Sequence, residues 1–88
     1  MQVKRIRSIL NKKGIEVINY GIDGRGKRDY FTKMSFNHEE ETYVIWYDRL
    51  KLKGHEYSIG CGRDKNSITI MNSNMSYINL KFYLEHIL

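Results

Sequence analysis

Apolar positions near the start of the chain recur with the spacing of an amphipathic helix. Val3, Ile6 and Leu10 are separated by three and four residues, and the positions between them are mostly polar or basic. Gly14 follows at the place where a glycine in the left-handed conformation commonly ends a helix. The pattern therefore predicts a first helix over residues 3–13.

The middle of the chain alternates between short segments rich in β-branched and aromatic residues and segments that are polar or contain glycine. In one such segment, Met34 and Phe36 alternate with Lys33 and Ser35, which places the two pairs on opposite faces of a strand. A later segment, from Val44 to Tyr47, is apolar throughout, which is typical of a central strand. We predict strands over residues 15–20, 30–37, 42–50, 56–61 and 67–71, with Ile68 and Ile70 of the last facing inward.

Apolar positions with helical spacing recur in the last part of the chain and predict a second helix. We expect the N-cap of this helix at Ser73, Asn74 or Ser76. Two apolar residues of this helix, Ile78 and Phe82, lie off the apolar stripe. We favour their burial against the sheet; the alternative is an exposed apolar patch that binds a protein partner. The predicted core stripe consists of Tyr77, Leu80, Leu84, Ile87 and Leu88.

Together these elements predict an α+β fold in one domain over residues 1–88. Because the connections are short, about five strands should form an antiparallel meander, with the N- and C-terminal helices packed on one face. The other face would be open. We expect it to carry Phe31, Lys33, Tyr43 or Trp46, Lys51 and Lys53.

The charge of the chain favours an anionic partner, either nucleic acid or an acidic protein surface. Fifteen Lys and Arg against ten Asp and Glu give a net charge of +5, and residues 1–33 hold nine of those basic residues against three acidic ones. A solvated basic face that only keeps the protein in solution is the alternative interpretation. The loop over residues 21–29 concentrates this charge: it combines three glycines with Arg25, Lys27 and Arg28, which favours phosphate binding, although its spacing is not that of a Walker A loop.

Aromatic and basic residues also occur together along the predicted strands. Aromatic side chains on an open sheet can stack on bases while Lys and Arg contact phosphates. Core packing is the alternative for each aromatic residue, Trp46 included. The candidate residues for binding nucleic acid or another anionic partner are Lys4, Arg5, Arg7, Arg25, Lys27, Arg28, Phe31, Lys33, Arg49, Lys51, Lys53, Arg63 and Lys65.

Signals for catalysis or metal binding are weak, and we predict no catalytic residues, no metal site and no cofactor. The segment from His38 to Glu41 is interpreted as a solvated acidic turn because it lacks metal-ligand spacing. Cys61, the single cysteine, is interpreted as a buried, inert thiol, although the nearby Arg63 could lower its pKa. A metal-free ribonuclease site would need residues such as His55, Tyr57, Arg63 and Lys65 to converge.

The sequence thus predicts a small basic, non-enzymatic protein that binds nucleic acid or regulates another molecule. The alternatives are an inhibitor of a host protein, of the kind phages and mobile elements encode, and a small toxin-like ribonuclease. A single cysteine and the lack of any long apolar run predict a reducing, cytoplasmic setting without a membrane partner. An exposed edge strand makes a homodimer a further expectation.

Overall fold

The computed structural model describes residues 1–22 and 31–88, apart from the side chains of Ile22 and Phe31. Its elements confirm the α+β prediction and agree in order with it. They are helix α1 (Val3–Lys12), strands β1 (Val17–Ile22), β2 (Phe31–His38), β3 (Glu41–Asp48), β4 (Tyr57–Gly62) and β5 (Thr69–Met75), helix α2 (Tyr77–Phe82) and a π-helical turn (Tyr83–Ile87).

The first helix ends where the glycine predicted its end. Gly14 has a φ of +75°, and its N–H donates to the carbonyl of Asn11. The N–H of Ile15 donates to the carbonyl of Leu10, which completes a Schellman motif, and Ile15 and Leu10 are both buried. Because Ile15 is part of this helix end, β1 begins two residues later than the sequence pattern predicts.

The five strands form one antiparallel sheet in the order β1-β2-β3-β4-β5, as the short connections predict. The central position of β3 agrees with its apolar sequence. Both helices cover the same face, and their apolar residues pack there against β2, β3 and β4. The fully buried side chains of this core include Ile6, Leu10, Met34, Phe36, Ile45, Ile59, Leu80 and Leu84.

The hairpin of β4 and β5 bends over the opposite, open face of the sheet. Gly60 and Gly62 make this possible: an added Cβ at Gly60 would lie 2.6 Å from the carbonyl oxygen of Thr69, and one at Gly62 would overlap the carbonyl of Ser67. The inward orientation predicted for Ile70 of the last strand is therefore wrong, whereas Ile68 is half-buried next to Gly60. Ile70 is 59% exposed, since it pairs with Gly60 in a ladder shifted by two irregularities.

The second helix starts after Ser76, one of the three predicted caps, whose hydroxyl accepts a hydrogen bond from the N–H of Asn79 at 3.1 Å. Burial of Ile78 and Phe82 against the sheet, the interpretation favoured by sequence, is wrong: their exposed fractions are 75% and 58%. Ile87 is 63% exposed because the π-helical turn is wider than an α-helical one and rotates this residue off the buried side. No helix of the described residues is long and apolar enough to cross a membrane.

Candidate nucleic-acid interface

The open face of the sheet carries the polar half of the alternating strand pattern. Cross-strand pairs on this face join Lys33 of β2 to Trp46 of β3, and Asn37 of β2 to Thr42 of β3. All four side chains point away from the helices because their neighbours in sequence point into the core. A sheet face of this kind offers hydrogen-bonding groups, one cation and one indole ring to a ligand.

The bent β4–β5 hairpin turns this face into a concave site, which we call the trough. Asp64 and Lys65, from the turn between β4 and β5, lie across the trough from Ile18 and Asn19 of β1. Its volume is about 580 Å³. The described residues that line it are Ile18, Asn19, Lys33, Ser35, Asn37, Thr42, Val44, Asp64 and Lys65.

The basic side chains of the trough lie at its exposed rim, and less exposed groups form its floor. Lys33 and Lys65 are exposed, whereas Val44 is buried in the floor. The hydroxyl of Thr42 donates to the side-chain oxygen of Asn37 at 2.9 Å, which leaves the Asn37 amino group to donate to a ligand. The trough can thus hold an anionic group at its rim and hydrogen-bond a polar group at its floor.

Among the described residues that line the trough, the one acidic side chain is that of Asp64, which has a structural role in the β4–β5 turn. One carboxylate oxygen of Asp64 accepts hydrogen bonds from the N–H of Asn66 at 2.8 Å and from the hydroxyl of Ser67 at 3.2 Å. These bonds place Asp64 in an Asx turn that shapes the tip of the hairpin. Its negative charge is partly satisfied there, so it opposes an anionic ligand less than a free carboxylate would.

Trp46 is the aromatic residue of β3 and β4 that lies on the open face. It is half-buried between Lys33 and Ser58, its cross-strand neighbours. Tyr43, the alternative considered from sequence, lies on the core side, where its ring stacks on Phe36 at a centroid distance of 5.2 Å. Trp46 is therefore the aromatic group that a ligand on this face would meet.

The remaining predicted basic residues fall into three groups that the structure does not bring together. Arg49, Lys51 and Lys53 lie in the connection after β3 and not on the open strand face, because Asp48 ends the strand by accepting a hydrogen bond from the N–H of Leu50. Arg63 is exposed in the turn that also carries Lys65. On α1, across the sheet from the trough, lie Lys4, Arg5 and Arg7.

Residues 23–29 of the predicted basic loop, which include Arg25, Lys27 and Arg28, lie outside the described residues, whereas Gly21 and Ile22 are the last residues of β1 and not part of a loop. The ends of β1 and β2 show at which end of the sheet residues 23–30 are attached. Thr32 pairs with Ile22 of β1, and Phe31 pairs with Asp48 of β3. The loop is therefore attached at the same end of the sheet as the connection that carries Arg49.

The residues proposed for a ribonuclease site do not converge. His55 precedes β4 and Arg63 follows it, so a strand of about 20 Å separates them. The hydroxyl of Tyr57 accepts a hydrogen bond from the N–H of Gln2 at 2.9 Å, and burial raises its pKa to about 12. Neither arrangement offers a base beside an acid at one reacting atom.

Cys61 is half-buried on the helix-covered side, rather than fully buried as the sequence suggests. Its thiol donates a hydrogen bond to a carboxylate oxygen of Glu41 at 3.0 Å, and this contact raises the pKa of Cys61. The nearby Arg63 therefore does not activate it. Within the described ranges, no three His, Cys, Asp or Glu residues are grouped so that they could hold a metal ion.

Sequence alternation identifies part of the trough, since it places Lys33, Ser35 and Asn37 on the outward face. It does not identify Asn19 or Thr42, or the approach of the β4–β5 turn. The sequence signal for this approach is the pair Gly60 and Gly62 within β4. Glycines two residues apart leave one face of a strand without side chains, so the start of β5 can lie against that face.

Comparison with protein-family models, with curated proteins and with solved structures finds no match to this chain.

Proposed function

We propose that the protein binds single-stranded nucleic acid in the trough and acts without catalysing a reaction. The observation that carries this proposal is the pairing of Lys33, which lines the trough, with Trp46, which lies beside it on the same open sheet face. A cation next to an indole ring matches the two repeating parts of a nucleotide, the phosphate and the base.

Four groups of the trough and the adjacent Trp46 each have a role in this mode of binding. A base would stack on Trp46, while Lys33 and Lys65 contact the phosphates that flank it. The Asn37 amino group and the Thr42 hydroxyl would hydrogen-bond the edge of a neighbouring base or its sugar. These contacts favour an unpaired strand, because the bases of a duplex are stacked on one another and are not free to stack on Trp46.

The basic residues at the end of the sheet would extend this interface. Binding at several phosphates makes affinity fall steeply with salt, and it does so regardless of base sequence. We therefore expect charge reversal at Arg25, Lys27 and Arg28 to weaken binding to all sequences alike. Unchanged affinity in that triple variant would remove the loop from the interface.

Fluorescence anisotropy with labelled single-stranded DNA, duplex DNA and RNA tests the proposal at low and near-physiological salt. We expect micromolar or tighter binding of a single strand, weaker binding of the duplex and a steep salt slope. Lys33→Glu should weaken binding by about tenfold or more, whereas Lys4→Glu, the same charge change on the opposite side, should change it little. No binding, or equal losses in both variants, would contradict the trough as the site.

A further inference from the structure

A second concave surface lies on the helical side of the molecule, between α1 and α2. We call it the helix groove. Its volume is about 440 Å³, and the sheet separates it from the trough. The helix groove is lined by Lys4, Arg5, Ser8, Ile9, Lys12, Tyr77, Lys81 and Glu85.

The charge of the helix groove is strongly unbalanced. Glu85, the one acidic side chain among the described residues that line it, pairs with Lys81 at 4.0 Å. In the part of the chain that the structure describes, no carboxylate forms an ion pair with Lys4, Arg5 or Lys12. Three cations of α1 therefore face the helix groove without an ion-pair partner among the described residues.

The positions of two of these cations oppose the stability of their own helix. Lys4 and Arg5 lie in the first turn of α1, which contains no acidic residue and has no side-chain hydrogen bond at its N-cap. Positive charge at this end is unfavourable because the helix dipole is positive there. A negatively charged partner would relieve this repulsion as well as pair with the side chains.

Apolar side chains border the same surface. Ile78 and Phe82 each follow a residue that lines the helix groove, Tyr77 and Lys81, so they lie a quarter turn further round α2. Both are mostly exposed. Adjacent basic and apolar strips complement a segment that is itself acidic on one side and apolar on the other.

We propose that the helix groove binds an acidic, amphipathic segment of a partner protein. Its carboxylates meet Lys4, Arg5 and Lys12, and its apolar side chains cover Ile78 and Phe82. A flat anionic membrane fits less well because the cations line a concave surface. Nucleic acid fits less well because a phosphate backbone offers no complement to the exposed apolar pair.

The test uses two fluorescein-labelled peptides with leucines at the spacing of a helical stripe. The first carries glutamate at the remaining positions, and the second carries glutamine. Binding is followed by anisotropy, with anionic lipid vesicles and a single-stranded oligonucleotide as separate probes. The variants are Lys4→Ala with Lys12→Ala, and Ile78→Ala with Phe82→Ala. The charge-matched control is Arg7→Ala with Lys13→Ala, which changes one cation of α1 and one at its C-cap, both outside the groove lining.

We expect the glutamate peptide to bind and the glutamine peptide to bind at least about tenfold more weakly, because the cations supply the selectivity. The Lys4/Lys12 variant and the Ile78/Phe82 variant should each lose about tenfold, and the control should stay within about twofold. Failure of the glutamate peptide to bind at about 1 mM would overturn the proposal. Equal losses in the groove variant and its control, or vesicles bound in preference to the peptide, would overturn it as well.

This proposal is independent of nucleic-acid binding, because the two surfaces lie on opposite sides of the sheet. Loss of oligonucleotide binding in Lys33→Glu, with peptide binding intact, would separate the trough from the helix groove. Amide chemical shifts in NMR spectra would locate each ligand directly. We expect peptide-induced changes in α1 and α2, and changes confined to the trough would contradict the helix groove as the peptide site.

Discussion

A hydrogen bond to a carboxylate sets the reactivity of the only thiol in the chain. Cys61 donates to Glu41, and both this bond and the negative charge of Glu41 raise the pKa of Cys61. Glu41→Gln should therefore lower that pKa and move the pH dependence of iodoacetamide alkylation to lower pH. Glu40→Gln removes the same charge from the same hairpin without that contact and should have little effect. A pH profile unchanged by Glu41→Gln would show that the carboxylate does not control the thiol.

Burial of Tyr57 predicts a loss of stability at alkaline pH. Its folded-state pKa of about 12 lies above the ordinary value of 10.0. Between these values the unfolded chain releases a proton that the folded protein keeps, so the free energy of unfolding falls as pH rises. The fall from this group is at most about 1.4 kcal/mol per pH unit. Urea unfolding of Tyr57→Phe should show a shallower fall above pH 10.0 than wild type, and Tyr20→Phe, at an exposed position, should not.

The turn between β2 and β3 holds two glutamates in a conformation that favours glycine and asparagine. Glu39 and Glu40 have φ angles of +50° and +67°. The combination Glu39→Asn with Glu40→Gly suits such a hairpin turn and should raise the free energy of unfolding by about 1–2 kcal/mol. Changing both residues to glutamine removes the charges but keeps the conformational free-energy cost of the positive φ angles. An equal gain from the glutamine pair in urea unfolding would mean that charge, not conformation, is the cause.

At the scale of elements, hydrophobic periodicity predicts regular helices and strands, but it does not predict where the backbone departs from regular geometry. Alternation along Met34 and Phe36 gives the faces of β2 because a regular strand has a period of two. The shifted ladder of β5 exposes Ile70, and the π-helical turn exposes Ile87. The irregular pairing of β5 and the π-helical turn both depend on how the backbone packs in the folded protein, and the order of apolar residues alone does not show either of them.

The bend of the β4–β5 hairpin depends on the missing side chain at Gly60. Gly60→Ala would bring a Cβ to 2.6 Å from the Thr69 carbonyl oxygen. Because that oxygen belongs to the backbone, the two strands would have to move apart. We expect a loss of about 2 kcal/mol in urea unfolding, together with weaker oligonucleotide binding because the trough opens. Gly21→Ala, whose Cβ would meet nothing within 4 Å, is the control. Wild-type stability and binding in Gly60→Ala would contradict this account of the bend.

For the whole molecule, the sheet places the basic residues on two opposite surfaces, which composition alone does not distinguish. The residues predicted from sequence include Lys33 and Lys65 of the trough and Lys4 and Arg5 of the helix groove, but not Lys12. The sequence does not show that Lys33 and Lys4 face opposite directions, since that depends on which strand face the helices cover. Likewise, the sequence leaves Tyr43 and Trp46 as alternatives. The register of β3 against β2 decides between them, because it places Tyr43 on buried Phe36.

Binding of a single strand in the trough is tested most directly through the fluorescence of Trp46, the only tryptophan in the chain. An unlabelled strand of about ten nucleotides is titrated into wild type, Lys33→Glu and Lys4→Glu at near-physiological salt. We expect saturable quenching that weakens about tenfold in Lys33→Glu, changes little in Lys4→Glu and declines as salt rises. Binding that is visible by anisotropy but leaves Trp46 fluorescence unchanged would place the nucleic acid elsewhere and contradict binding in the trough.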